Sequence, residues 1–259
     1  MLLDPFSGHL DAPPRRIVSL VPSWTETLAA LGLDAEVVGV TRFCVHPAAW
    51  HAGPHAKVRV GGTKTVDVAT VRRLAPDLVV ANREENVRDQ VEALAAFAPV
   101  VLTNAATVDG ALAELRGLGR LVARADRAAA LARRLEARLA AAPAAPLLRV
   151  AYFIWKDPWM TVGGDTYVHD ALARVGLENV FGDRPRYPEV TVGDVVAAHP
   201  DVLLFSSEPF RFRPKHVGAL REACPDAAVR FVDGEAFSWY GSGLARLPEE
   251  ARRLRAALA

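Results

Sequence analysis

Two stretches of this chain return later in the same order, and that internal repetition narrows the fold more than any single residue does. Residues 28–39 read LAALGLDAEVVG and residues 172–182 read LARVGLENVFG; LAPDLVVA at 74–81 comes back within AAHPDVLLF at 197–205. Each half therefore runs through a helix, a glycine and an apolar segment, then a helix broken at Pro76 or Pro200 and a buried strand at 78–81 or 202–206. Uniformly apolar strands alternating with helices predict parallel sheets covered on both faces. Between the halves, 107–142 is nearly all strong helix formers, with Leu131, Leu135 and Leu139 on one stripe. From Ala125 onward this reads as a stiff spacer, about 27 Å long over 125–142, stopped by Pro143 and Pro146. The expected fold class is α/β: two α/β lobes with parallel sheets, joined by a long backbone helix. Its divisions are an N-terminal lobe at 16–106, a connecting helical segment at 107–146 and a C-terminal lobe at 147–259, whose closing helix has Pro248 near its first turn.

The first repeat opens on RIVSLVPSWTETLAALGLDAEVVGVTRFCVHP, residues 16–47. Ser23 and Glu26 have the spacing of a capping box, and Gly32 stands where a helix of this length ends. A polar turn is thereby expected at the carboxyl end of a buried strand, where open α/β sheets collect ligands, with Trp24 facing the ligand. The first half holds about twenty more residues between its matched segments than the second. The excess falls in 41–65, a loop-rich piece with three of the chain's seven histidines that carries Arg42, Phe43, Cys44, His46, Thr63 and Lys64. Cys44, two residues from His46, fits a thiolate–imidazole pair, a soft metal ligand, or an imidazole for a corrinoid cobalt; it equally fits a small buried cysteine beside a loop-capping histidine. Pro47 holds the preceding residue extended, which favours a projecting His46 ring.

Other strands also run into polar loops. Arg83, Glu84, Glu85 and Asn86 follow the strand at 78–81. They either begin the amphipathic helix from Val87 as a solvated face, or place Arg83 for a ligand phosphate or carboxamide with Glu85 neutralising it. In the second half Trp155, Trp159, Gly163, Gly164, Asp165 and Thr166 form a Gly-rich aromatic loop before a helix, whose N-terminus suits an anion. No P-loop lysine follows, so no nucleoside triphosphate site is expected. Arg186 and Tyr187, Glu208 and Phe210, and Ser238, Trp239 and Tyr240 complete the second-lobe wall expected opposite Trp24.

Charge and cysteine content remove several functional classes. Thirty-one basic residues against 30 acidic ones give a net charge of +1, which offers no basis for binding nucleic acid or an acidic membrane surface. Cys44 and Cys224 make no disulfide framework. Asp4 and Pro5 interrupt the region where an export signal would be basic and then apolar, and no window has the roughly 18 apolar residues of a membrane helix. The expectation is a soluble cytoplasmic protein as the sequence stands, or a periplasmic or surface-anchored one where a leader has been removed.

Together, RIVSLVPSWTETLAALGL, LAPDLVVA and VGGDTYVHDALARVGLENV, on two lobes joined by one helix, resemble the class III periplasmic-binding-protein superfamily over roughly 16–245. These helical-backbone receptors serve ABC importers for cobalamin, ferric siderophores, haem and, more distantly, zinc or manganese. The cobalamin-binding subgroup is the most similar. The resemblance implies a corrinoid or iron chelate gripped between the lobes with little hinge motion, bound as a transported ligand and not as a tightly held cofactor. A bare metal ranks lower, because His46, His51 and His55 share one loop and the second half offers mainly His169 and Glu208. Cobalamin receptors line the cleft with tryptophans; the matching places here hold Thr63, Asn82 and Tyr187, with Trp24, Phe43, Trp155, Trp159, Phe210 and Trp239 as replacements. An ABC permease is the partner that the resemblance implies, yet the docking glutamates of importer-linked members are matched by Ala69 and Gly193, and nearby Asp67 and Asp194 serve equally as helix caps. Two alternatives on the same scaffold are a cytoplasmic cofactor-processing enzyme, with Cys44 as nucleophile and His46 as base, and a ligand sensor. No residue is assigned as catalytic, because the sequence identifies no third orienting group.

Overall fold

The computed structural model describes residues 1–141 and 147–258; Pro143 and Pro146, the expected helix stops, lie outside the described residues. The chain divides into two compact units. The first comprises Met1–Ala105, Asp109–Arg134 and Trp239–Gly243, and the second Ala106–Val108, Leu135–Ser238 and Leu244–Ala259. The first contains strands β1 (Leu2–Leu3), β2 (Ile17–Ser19), β3 (Val37–Val40), β4 (Val58–Arg59), β5 (Leu78–Asn82) and β6 (Val100–Thr103). Its helices are α1 (Pro22–Ala30), α2 (Val68–Arg73), α3 (Arg88–Ala95) and nearly all of α4 (Val108–Leu121). Helix α5 (Ala125–Ala140) starts in the first unit and passes into the second after Arg134. Strands β7 (Leu148–Phe153), β8 (Leu177–Asn179), β9 (Val202–Ser206) and β10 (Ala228–Val232) form the second sheet, accompanied by α6 (Tyr167–Arg174), α7 (Val192–Ala197), α8 (Gly218–Ala223), α9 (Gly234–Ser238) and α10 (Leu247–Ala256).

Both sheets are parallel at every pairing, in the order β1-β6-β5-β2-β3-β4 in the first unit and β10-β9-β7-β8 in the second. The central strands β5 and β9 are buried along their whole length, as a sheet covered on both faces requires. The expected α/β class with two parallel-sheet lobes is what the chain adopts.

The sequence repeat is a repeat of backbone geometry. Gly32 after α1 and Gly176 after α6 both have positive φ, 76° and 72°, the left-handed conformation that glycine adopts without steric cost. Leu33 N–H donates to the Leu28 carbonyl and Gly32 N–H to the Ala29 carbonyl, which is the Schellman ending. Ala75 and His199 stand before Pro76 and Pro200 with φ of 43° and 45°. The aspartate that follows each proline then clasps the start of a neighbouring strand. Asp77 accepts from the Arg15 and Arg16 N–H groups, both at 2.8 Å, and Asp201 from the Arg149 N–H at 2.7 Å. The arginine at each strand start closes the loop by donating to the end of the helix, Arg16 Nε to the Leu74 carbonyl and Arg149 Nη2 to the Ala198 carbonyl.

Two local expectations are corrected. Ser23 and Glu26 do not form a capping box: Pro22 already occupies the first helical turn, Val21 is the extended N-cap, and no side chain caps this end. Proline pre-sets the helical φ, so the helix begins one residue early and carries Ser23 inside it. The 41–65 insertion, expected as a loop-rich piece, is not loop throughout, because Val58–Arg59 adds β4 to the sheet edge. Trp50, 1% exposed, anchors it by donating from Nε1 to Asp34 at 2.9 Å.

The clasp predicts a stability effect at matched positions. Asp77→Ala and Asp201→Ala each remove charge-assisted bonds to strand-entry N–H groups and are expected to lower unfolding stability by about 1–2 kcal/mol, more for Asp77, which accepts two. Urea titration reads this as a lower midpoint with an unchanged slope; midpoints equal to wild type would show that the clasp is incidental.

Candidate ligand faces at the strand ends

In the first unit the residues after β2, β5 and β6 are knitted into a buried polar node. Trp24 Nε1 donates to Thr103 Oγ1 at 2.9 Å, Asn82 Nδ2 donates to the same oxygen at 3.1 Å, and Thr103 donates to the Ala81 carbonyl at 3.0 Å. The Tyr240 ring lies 5.1 Å from Trp24, and its hydroxyl bonds with Ser23 and Thr103. Burial, then the charge of Glu85, pushes the Tyr240 phenol well above its usual range. Trp24 is fully buried, so the expectation that it faces the ligand is corrected. Its indole proton has a buried partner, and the face of helix α1 around it is covered by Trp239–Gly243. Ser242 N–H donates to Thr27 Oγ1 at 3.0 Å, and a Cβ on Gly241 would sit 2.1 Å from that oxygen. Trp239 and Tyr240, expected in the second-lobe wall, thus belong to a strap on the first unit.

Cys44 is 1% exposed, with its sulfur 3.0 Å from Thr25 Oγ1 and 3.1 Å from Thr41 Oγ1. Burial pushes its thiol pKa up, which keeps it protonated and unreactive. The half-buried His46 ring stands edge-on to Trp239 at 5.4 Å. Arg42 and Phe43 are exposed, the guanidinium 4.9 Å from the ring centre, and Phe43 keeps 48% of its surface open. Thr63 is buried and its carbonyl accepts from Asn86 Nδ2 at 3.0 Å, which fixes the turn that carries Lys64. Lys64 Nζ donates to the Glu84 carbonyl. Asn82 Oδ1 accepts from the N–H groups of Glu84 and Glu85 at 2.7 and 3.2 Å, a closed turn that leaves Arg83 exposed and Glu85 half-buried. Burial raises the Glu85 pKa, opposed by Lys64.

The second unit also has accessible rings after its strands. Trp155 is 40% exposed and meets the half-buried Phe210 edge-on at 5.5 Å. Trp159 lies beneath, its ring parallel to Phe212 at 6.1 Å. Glu208 accepts from Ser238 Oγ at 2.6 Å. Arg186 is exposed, with its N–H on Asp165 at 2.5 Å and its guanidinium 5.5 Å from the Tyr187 ring. The Gly163–Gly164 pair is not an anion cradle. Its N–H groups donate to the Arg186 and Arg184 carbonyls at 2.7 and 2.8 Å, and a Cβ on Gly163 or Gly164 would stand 2.1 Å from the carbonyl oxygen of Arg184 or Gly182. The close approach that the glycines permit is to the chain itself. Among the described residues no three His, Cys, Asp or Glu side chains converge as a metal site requires.

Sequence reading missed Glu114, which lies on α4 and is 3% exposed. The available signal was an acid on the apolar stripe of Ala111, Leu115 and Leu118. Glu114 Oε1 accepts from the Asn104 N–H at 2.7 Å, whereas Oε2 is buried without a partner among the described residues. Burial raises its pKa to about 7, with the Asp4 charge adding to the rise and backbone N–H donors opposing it.

Two α/β units with polar and aromatic loops at the carboxyl ends of parallel strands are the architecture of a solute-binding protein. Residues 17–219 match the family model described as periplasmic binding protein, and the chain belongs to that family, one of binding proteins and not of enzymes. It is 30% identical over 208 residues to the vitamin B12-binding protein of Pectobacterium carotovorum, covering 76% of this chain and 73% of that one. In fold it is similar to the periplasmic vitamin B12 binding protein of Vibrio cholerae, at TM-score 0.73 and 20% identity over 95% and 98% of the two chains. It is likewise similar to a periplasmic heme binding protein from Pseudomonas aeruginosa, at TM-score 0.76 and 23% identity over 94% and 92%. No helix among the described residues is long and apolar enough to cross a membrane.

A raised acid pKa sets the sign of a pH effect. The proton on Glu114 is held more tightly in the folded chain than in the unfolded one, so its contribution to stability is full below about pH 4.5 and is lost as pH rises through about 7. The loss is about 3 kcal/mol, and Glu85 adds in the same direction. Glu114→Gln is expected to flatten the difference between urea midpoints at pH 5 and pH 8; an unchanged difference would dismiss Glu114 as its source.

Proposed function

We propose that this chain is a receptor for a flat, metal-bearing cofactor, a corrinoid of the cobalamin kind or an iron chelate such as haem. The observation that carries this reading is selective exposure. Trp24, Trp50, Phe153, Phe205 and Phe237 are buried, while among the described residues four Phe and Trp rings are exposed: Phe6 near the N-terminus, Phe231 within β10, and Phe43 and Trp155, which stand in loops after strands and keep 48% and 40% of their surface open. Open rings beside cations suit stacking on a planar body with polar groups at its edge. The names of relatives that bind vitamin B12 or heme support the same ligand class.

Titration of the purified protein with cobalamin, cobinamide, haemin and a ferric chelate is expected to give a spectral shift and thermal stabilisation with at least one at micromolar concentration. Silence from all of them would sink the receptor reading. Cys44→Ser is expected to leave that affinity within about twofold, whereas turnover lost in this variant would restore the enzyme reading that the buried thiol argues against.

A membrane permease of the importer type is the partner this function implies. Ala69 and Gly193 offer it no acid, and Asp67 and Asp194 cap their own helices, Asp67 accepting from the Thr70 N–H and Asp194 completing a capping box with Thr191. The family supports a site of action outside the cytoplasm, against the expectation drawn from the N-terminal residues. Fractionation of native cells is expected to place the protein with envelope markers; recovery solely with cytosolic markers would reverse this.

A further inference from the structure

The loop after β9 is marked by cations that no aspartate or glutamate among the described residues pairs with. In residues 210–213, Phe212 turns inward while Arg211 and Arg213 are exposed, and a short 3-10 turn, Pro214–His216, follows. His216 Nδ1 accepts from the Arg213 N–H at 3.0 Å, so the neutral ring carries its proton on Nε2 and remains a donor there. That ring lies edge-on to Phe210 at 5.2 Å, and Phe210 in turn lies edge-on to the exposed Trp155 at 5.5 Å. Lys156, Arg213 and Lys215 all act electrostatically on His216, with Asp157 as the opposing charge; burial first, then these cations, push its pKa down. Asp157 holds Lys156 at 2.7 Å, and neither Arg213 nor Lys215 has an ion pair among the described residues. Like charges collected beside open aromatic rings raise the local concentration of anions.

We propose that Arg213 and Lys215, with Lys156 and the Nε2–H of His216, receive anionic oxygen groups, carboxylate or phosphate, on the edge of the ligand whose flat face rests on Trp155 and Phe210. This rests on the receptor reading above and adds to it a charge requirement on the ligand. Guanidinium and ammonium donors form short charge-assisted bonds to such groups, and Arg213 has the planar fork for a bidentate contact.

Matched ligand pairs test it by isothermal or spectral titration. Haemin is compared with its dimethyl ester, which lacks free carboxylates, and cobalamin with cobinamide, which lacks the nucleotide phosphate. In at least one pair the anionic member is expected to bind tenfold more tightly or better, with an affinity that falls as salt rises. The exposed double variant R213Q/K215Q is expected to remove that preference, while R133Q/R134Q, which deletes the same charge from α5, leaves it intact. An unfolding midpoint equal to wild type checks that the double variant is folded. Equal affinity within both pairs, or a preference that survives R213Q/K215Q, overturns the anion site and leaves the receptor reading standing. Failure of all four ligands to bind overturns both. The pair that shows the preference separates carboxylate from phosphate.

Discussion

Thr103 Oγ1 is the atom through which the first unit is held together at its strand ends. The Trp24 indole and the Asn82 amide donate to it, the Tyr240 hydroxyl bonds with it, and its own proton goes to the backbone of β5. Helix α1, strands β5 and β6 and the Tyr240 strap therefore meet at one buried hydroxyl. Inside a protein such a network is costly if one member is left unpaired, and each member consequently fixes the rotamers of the others. The price of this arrangement is functional: an indole whose N–H is committed inside the core cannot also be a platform for a ligand. What remains accessible near this unit's strand ends includes Arg42, Phe43, Lys64 and Arg83.

The fold was legible because the repeat is written in residues whose backbone demands are severe. Gly32 and Gly176 serve left-handed helix endings, and Pro76 and Pro200 separate helices from strands, so two short motifs carried enough geometry to predict paired parallel sheets. Local reading failed where two signals competed for one position. Ser23-x-x-Glu26 has capping spacing, but Pro22 starts the helix before Ser23. Gly163–Gly164 allows close backbone approach before a helix N-terminus that suits an anion, but its amides are consumed by the 184–186 segment, a partner about twenty residues away whose approach no local pattern announces.

The candidate site was legible in part, and burial divides the two parts. Composition put Phe43, Trp155 and Phe210 in strand-end loops, and these rings are partly accessible. The same reasoning grouped them with Trp24, Cys44 and Tyr240, which tertiary contacts bury. A tryptophan in a turn reads alike whether a distant strap covers it or not. Trp239–Gly243 is such a strap, more than two hundred residues along the chain from α1. The Arg213, Lys215 and His216 group escaped notice for the opposite reason, since isolated basic residues in a loop look like an ordinary solvated surface until their common focus on one imidazole is seen.

Magnitudes argue that aromatic contact alone is too little for the second unit's face. An exposed 40% of a tryptophan is roughly 100 Å², and burying it under a ligand is worth about 2.5 kcal/mol. Micromolar binding needs about 8 kcal/mol after the cost of association has been met. One open indole beside a half-buried Phe210 falls short by more than half. Charge-assisted bonds, at about 1.5–3 kcal/mol each, are of the size needed to close that gap. They also add a selectivity that stacking lacks, because every planar macrocycle offers a π face whereas few display an oxyanion at the matching edge. On the receptor reading proposed above, the exposed Arg213 and Lys215 in the loop that carries Phe210 are side chains able to make such bonds, and they would give the open rings a basis for choosing among flat ligands.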